Sequence, residues 1–289
     1  MRKNILIGIM TACACAGAEG RLDGPGGLVF DSASASVRSM YGVPGSAYLG
    51  AAVAEEISAA AVAPNGRAAL YLRDGSLVLQ KETAAVLAEG LAGARIAWSA
   101  DSSSAAVADG SGAVRIFKLD GSAARTIADA PAGIADLALD GELVIASAAG
   151  GIYVLEAGKP ARLLTQTEGA ADLALLGADL FYADRSRGEV RVLRSYAGGG
   201  DPALVAKLDG VVGVGVAKNV VVIASASQKR AIGLRIGSNE PVFDLELDFE
   251  PSSVDAFGDA AWLLNAGQSG PLQVLVADAS PAVYFIPRQ

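Results

Sequence analysis

Between Ile134 and Leu164 apolar residues alternate with polar or small ones in four short runs, each ended by turn-forming residues. A period of two predicts strands at Asp136 to Leu139, Leu143 to Ser147, Gly151 to Leu155 and Ala161 to Leu164. Asp140-Gly141, Ala149-Gly150 and Gly158-Lys159-Pro160 supply the turns, since Gly tolerates positive φ and Pro presets its own. Such a sheet buries both faces only when a similar sheet stacks on each side, so the pattern predicts a repeat array.

The pattern recurs. The first strand of each copy ends on an apolar residue at Val62, Trp98, Leu139, Leu175, Val216 and Phe257, 36 or 41 residues apart. A spacing of about 40 residues suits a four-stranded propeller blade. Six complete units are expected from Ile57 to the end, with the strands from about Leu28 to Val53 matching the second half of a unit and completing a seventh blade. The fold expected is all-β, a single propeller over residues 28–289 and most simply seven-bladed, the alternative being six blades with an N-terminal hairpin. The small residues of the first strands, such as Ser58-Ala59-Ala60-Ala61, suit a crowded axis. Asp244, Glu246, Asp248 and Glu250 alternate with Leu245, Leu247 and Phe249, which predicts an outer strand whose charges keep another sheet from pairing with it.

Two copies, Ala183-Asp184-Arg185-Ser186-Arg187-Gly188-Glu189-Val190 and Ala108-Asp109-Gly110-Ser111-Gly112-Ala113-Val114, resemble the Ala-Asp, short loop, Gly-x-Val core of NHL and YVTN-type β-propeller repeats. In other copies Ser147, Ser225 and Asn265 stand near the place of the Asp. The resemblance implies the fold rather than an activity.

Composition narrows the chemistry. With no histidine among 289 residues, Ser-His-Asp and Cys-His catalysis and His-ligated metals are excluded. A formal charge of -8 argues against nucleic acid, whose phosphates it would repel. The two cysteines, Cys13 and Cys15, fall in residues 1–18, where Arg2 and Lys3, an apolar run from Ile5 to Met10 and small residues have the layout of a secretory signal. Export to the periplasm or the outside is expected. Met10-Thr11-Ala12-Cys13 also resembles the lipoprotein box, which makes Cys13 a lipidation candidate and a lipid anchor the one membrane attachment expected. Residues 19–27 read as a Gly-rich joint.

The candidate ligand or metal site is a set of carboxylates. Asp136, Asp172 and Asp255 sit at the starts of first strands, the rim of a propeller's axial channel, where converging carboxylates could hold calcium. Calcium-dependent lactonase propellers do this with added Asn and often His; here His is lacking, and Asn65, Asn219 and Asn265 share no blade position. Arg185 and Arg187, in the one basic cluster, are candidates for holding a carboxylate or phosphate. Gly210-Val211-Val212-Gly213-Val214-Gly215 has dinucleotide-site glycines but lies in a strand pattern with no helix after it. Two readings therefore stand: a non-catalytic, monomeric scaffold without a cofactor that binds a protein, peptide or glycan, or a calcium-dependent hydrolase with its site at the channel mouth.

Overall fold

The computed structural model describes residues 27–288 except 43–44, 92, 128–129, 259 and 267. The expectations for residues 1–18, for Cys13 and for most of the joint lie outside the described residues. Among the described residues twenty-seven strands form seven antiparallel sheets, arranged as a seven-bladed β-propeller. Blade 1 holds β1 (Gly27–Asp31), β2 (Ser36–Tyr41) and β3 (Tyr48–Ala54). Blade 2 holds β4 (Ala59–Val62), β5 (Ala69–Arg73), β6 (Ser76–Gln80) and β7 (Ala84–Ala88). Blade 3 follows with β8 (Arg95–Trp98), β9 (Ser104–Ala108), β10 (Val114–Lys118) and β11 (Arg125–Ile127). Blade 4 has β12 (Asp136–Asp140), β13 (Leu143–Ala148), β14 (Gly151–Leu155) and β15 (Arg162–Thr165). Blade 5 has β16 (Ala171–Leu176), β17 (Asp179–Asp184), β18 (Glu189–Leu193) and β19 (Ala203–Lys207). Blade 6 comprises β20 (Val211–Ala217), β21 (Val220–Ser225), β22 (Arg230–Arg235) and β23 (Pro241–Glu246). Blade 7 closes the chain with β24 (Asp255–Gly258), β25 (Ala261–Leu263), β26 (Leu272–Val276) and β27 (Ala282–Ile286). Among the described residues the one helical element is a single 3-10 turn at Tyr196–Gly198, and no helix is long and apolar enough to cross a membrane.

In each complete blade the strands pair in sequence order, as the alternating runs and short turns require. The four strands expected between Asp136 and Leu164 are β12 to β15, displaced by at most a residue at their ends. The outermost strand of blade 6, β23, takes in Asp244 and Glu246 but ends there, so Asp248 and Glu250 of the expected acidic strand fall in the segment that follows it; Arg230 of the adjacent β22 pairs with Asp244.

Apolar residues are buried between blades. Among the described residues seven hydrophobic clusters each span one seam; Phe181, Val190 and Val192 of blade 5, for example, meet Val214, Val221 and Ile223 of blade 6. At the last seam Val29, Met40 and Leu49 of blade 1 pack on Leu263, Leu272 and Val274 of blade 7, so packing between the two ends of the chain closes the ring.

Blade 1 has three described strands, and they correspond to the second, third and fourth of the other blades. The N–H of Ile57, leading into the next blade, donates to the carbonyl of Ala35 between β1 and β2 at 2.9 Å. Leu91 makes the same bond to Gly75, Leu208 to Gly188 and Leu247 to Lys229, each time to the turn between second and third strands.

The glycines of the dinucleotide-like motif have a packing role. A Cβ on Gly213 would lie 3.0 Å from the Val254 backbone nitrogen, and one on Gly215 would lie 2.1 Å from Trp262 Nε1. Their bare backbone lets blade 7 close on β20.

Candidate site at the channel rim

The first strands β4, β8, β12, β16, β20 and β24 surround the axis, and they begin at the same rim as the turns between second and third strands. Asp136 opens β12. Its Oδ1 accepts the N–H of Leu137 at 2.9 Å, and its Oδ2 accepts the N–H of Leu173, on β16 of the next blade, at 2.7 Å. Burial pushes the Asp136 carboxyl up to about 7; the two backbone N–H groups oppose that rise and the charge of Asp172 adds to it.

Asp172, one residue into β16, is held in bidentate fashion by Arg185, with Nε 2.6 Å from Oδ2 and Nη2 2.7 Å from Oδ1. Arg185 projects from the turn between β17 and β18. Its hydrogen bonds to Asp172 hold its guanidinium above the usual arginine range, with Asp136 and Asp255 adding in the same direction. Asp255 opens β24. Water in the channel mouth reaches it, yet protein surrounds it, and that desolvation raises its carboxyl; Asp172 adds to the rise, whereas a Ser253 hydroxyl bond and Arg185 oppose it.

The three aspartates singled out in the sequence are thus coupled through one patch of rim, with Arg185 as the cation among them. Arg187 engages other groups, its Nε lying 3.1 Å from Glu168 Oε1 and 3.8 Å from Asp184 Oδ2. The two arginines therefore engage different carboxylates of the chain itself. Among the described residues no group of three or more Asp, Glu, Cys or His is placed to hold a metal ion.

The Asp184 of the resembled motif is buried and shapes the loop: its Oδ1 accepts the N–H groups of Ser186 at 3.1 Å and Arg187 at 3.2 Å. Asp109 does the same for Ser111 at 2.9 Å and Ala113 at 3.1 Å. Ser225 bonds the N–H of Gln228 at 3.2 Å, and Asn265 bonds that of Gln273 at 2.8 Å, so these two substitutes keep the loop-forming role, whereas the third, Ser147, accepts the N–H of Ala171 in the next blade at 2.7 Å. Sequence reasoning missed the pairing of Arg185 with Asp172. The hairpin register carries the signal, because Asp172 lies opposite Ala183 and Arg185 is two residues beyond, on the same side of the strand.

No protein-family model matches the chain, and no curated protein does. Solved structures do. A chain in the crystal structure of a nidogen/laminin complex is similar over 78% of this chain and 93% of its own length, with 14% identity and a TM-score of 0.57. One in the crystal structure of a mitotic checkpoint complex covers 100% of this chain and 90% of itself at 12% identity and a TM-score of 0.63. Hsv2 of Kluyveromyces lactis covers 76% and 74% at 14% identity and a TM-score of 0.58. At these identities the likeness is one of fold.

Proposed function

We propose that the protein is an exported, non-catalytic interaction scaffold that offers its channel rim and adjoining turns to a protein, peptide or glycan. One observation carries the reading: two of the three rim aspartates, Asp136 and Asp172, are spent on the ring itself. Both oxygens of Asp136 accept backbone N–H groups, one from the next blade, and both oxygens of Asp172 face Arg185. A calcium-dependent hydrolase needs carboxylate oxygens free to enter a coordination shell of six to eight donors. This donor set does not suit one, since a neighbouring guanidinium competes for the same oxygens. Two of the similar chains were solved in multiprotein complexes, which fits a propeller used as a binding surface.

Thermal unfolding with millimolar calcium and with chelator, beside hydrolysis assays on lactones and esters, tests the reading. The expected result is the same midpoint in both buffers and no calcium-dependent turnover. A calcium site filled at a hundredfold excess over its dissociation constant would add about 2.7 kcal/mol, a shift of several degrees. Such a shift, or turnover that chelator abolishes, overturns the scaffold reading.

A further inference from the structure

We propose that the outer edge of β27 is a strand-addition site, where an extended, basic segment of a partner protein pairs with blade 7 and seats an apolar side chain on Phe285. The inference goes beyond the scaffold reading and does not depend on the channel rim, since it concerns the circumference of the ring. The outermost strands β3, β7, β11, β15, β19, β23 and β27 each have one edge without a partner strand among the described residues. Such an edge holds a row of backbone N–H and C=O groups that an added strand can satisfy, and proteins blunt it with bulges, charges or short strands. Here β3, β7, β15, β19 and β23 each pair with the strand inside them through a register shift. A bulge of that kind twists an edge away from a flat partner. The remaining short strand, β11, has three residues and carries Arg125.

β27 has none of these devices. Its five residues, Ala-Val-Tyr-Phe-Ile, carry no charge and pair with β26 in unbroken register from Ala282 to Ile286. Val283 packs in the seam with blade 6, and Phe285, next along the same face, is 50% exposed. On the other face Tyr284 meets blade 1, where a Cβ on Gly45 would lie 3.7 Å from its Cε1. Phe285 is therefore the side chain of β27 left for a cross-strand neighbour. Pro281 and Pro287 lack an N–H and bound the edge at both ends, which limits the added strand to the length of β27. The surrounding charge fixes what that strand carries. On blade 7 the exposed charges among the described residues, Asp255 and Asp278, are acidic, while Arg288 is buried against Asp31. Asp248, exposed in the segment that enters the blade, has the same sign. A strand bearing lysine or arginine complements this field, whereas a second copy would bring the same acidic blade and a net charge of -8 against it.

Backbone-amide NMR titration of the full-length chain with a capped peptide of alternating valine and lysine tests this. Two control peptides carry glutamate in place of lysine, or N-methyl groups on alternate amides. With the lysine peptide, shifts are expected to centre on residues 282–286, with a dissociation constant of about 1 mM or tighter. Binding is expected to be at least about tenfold weaker for each control peptide and for Phe285→Lys, which adds charge at an exposed position and leaves the unfolding midpoint unchanged. No binding of the lysine peptide at about 5 mM, shifts centred on another outer strand, or equal binding of either control peptide overturns the proposal. Binding that Phe285→Lys leaves unchanged overturns it as well. So do outward amides of β27 already protected from hydrogen exchange before peptide is added, since another part of the chain or a second copy would then cover the edge.

Discussion

Arg288, the last residue described, lies with its Nε 2.9 Å from Oδ1 of Asp31, at the end of the first strand described. The Asp31 side chain is 1% exposed and that of Arg288 13%. The contact is an ion pair rather than an aligned hydrogen bond: Arg288 Nη1 donates to the Gln268 carbonyl, while Nε and Nη2 find no acceptor in line. Asp31 keeps its serine partner, with Ser34 Oγ at 2.7 Å. Arg288→Ala should therefore cost about 3 kcal/mol, chiefly by leaving the Asp31 charge buried and unpaired. Asp31→Asn in the Arg288→Ala chain should recover part of that. Denaturant unfolding of the three proteins checks it, and equal stability of parent and Arg288→Ala would show that packing alone closes the ring.

Asp136 predicts a pH dependence with a definite sign. Its carboxyl titrates at 3.8 when unperturbed, as in the unfolded chain, and at about 7 in the folded protein, so between those values the folded state holds a proton that the unfolded state has lost. Stability contributed by this group is complete below about pH 4 and lost as pH rises through about 7. Asp136→Asn keeps an oxygen for the Leu173 N–H and removes the titration. The parent's unfolding midpoint should fall more steeply than the variant's between pH 4 and 8, and parallel curves would refute the assignment.

Arg185 neutralises the rim at the other end of that range. Arg185→Met should destabilise the fold by about 1 kcal/mol at pH 8, a modest figure because the pair is partly exposed, and by less at pH 4. Asp172→Asn should restore most of the loss in the Arg185→Met chain. A loss that is independent of pH would show that Arg185 acts through its packing.

The propeller and its blade count were legible in the sequence because both follow from local rules. Turn residues and alternating runs fix each strand, and faces apolar on both sides demand stacking. The three rim aspartates were legible for a related reason: Asp136 and Asp172 fall at the same distance before the last apolar residue of their strands. The partners of those residues were not. Leu173 reaches Asp136 through a backbone N–H, which every residue but proline has, and Arg185 meets Asp172 only once the hairpin register is known. The glycines of β20 imitate a dinucleotide motif for a physical reason, since a close-approach glycine looks the same whether phosphate or Trp262 is what approaches, and the strand pattern around them is what set that reading aside.

Gly215 supplies a further check. Gly215→Ala sets a Cβ against the Trp262 ring edge, which the surrounding core holds, and should cost about 1–3 kcal/mol. Unchanged stability by denaturant titration would mean that blade 7 can move away from β20.

Export is checked at the N-terminus. Protein recovered from the cell envelope should begin between about residues 13 and 19, and a blocked, detergent-extracted Cys13 would select the lipidated form. A chain in that fraction still beginning at Met1 would end the export reading.

The polar side-chain contacts across the seam between blades 2 and 3 differ from those between blades 4 and 5. Trp98 Nε1 donates to the Ala61 carbonyl, Ala171 N–H to Ser147 Oγ, Tyr196 Oη to Asp140, and Leu173 N–H to Asp136. Blades 2 and 3, and blades 4 and 5, are therefore keyed to each other, although all are copies of one unit. A blade moved elsewhere in the ring would keep its own sheet but present a donor to the wrong surface. Such a chain can change at its exposed turns residue by residue, but inserting a whole blade requires two new seams to be fitted at once, and deleting one requires a seam between two blades that had not met.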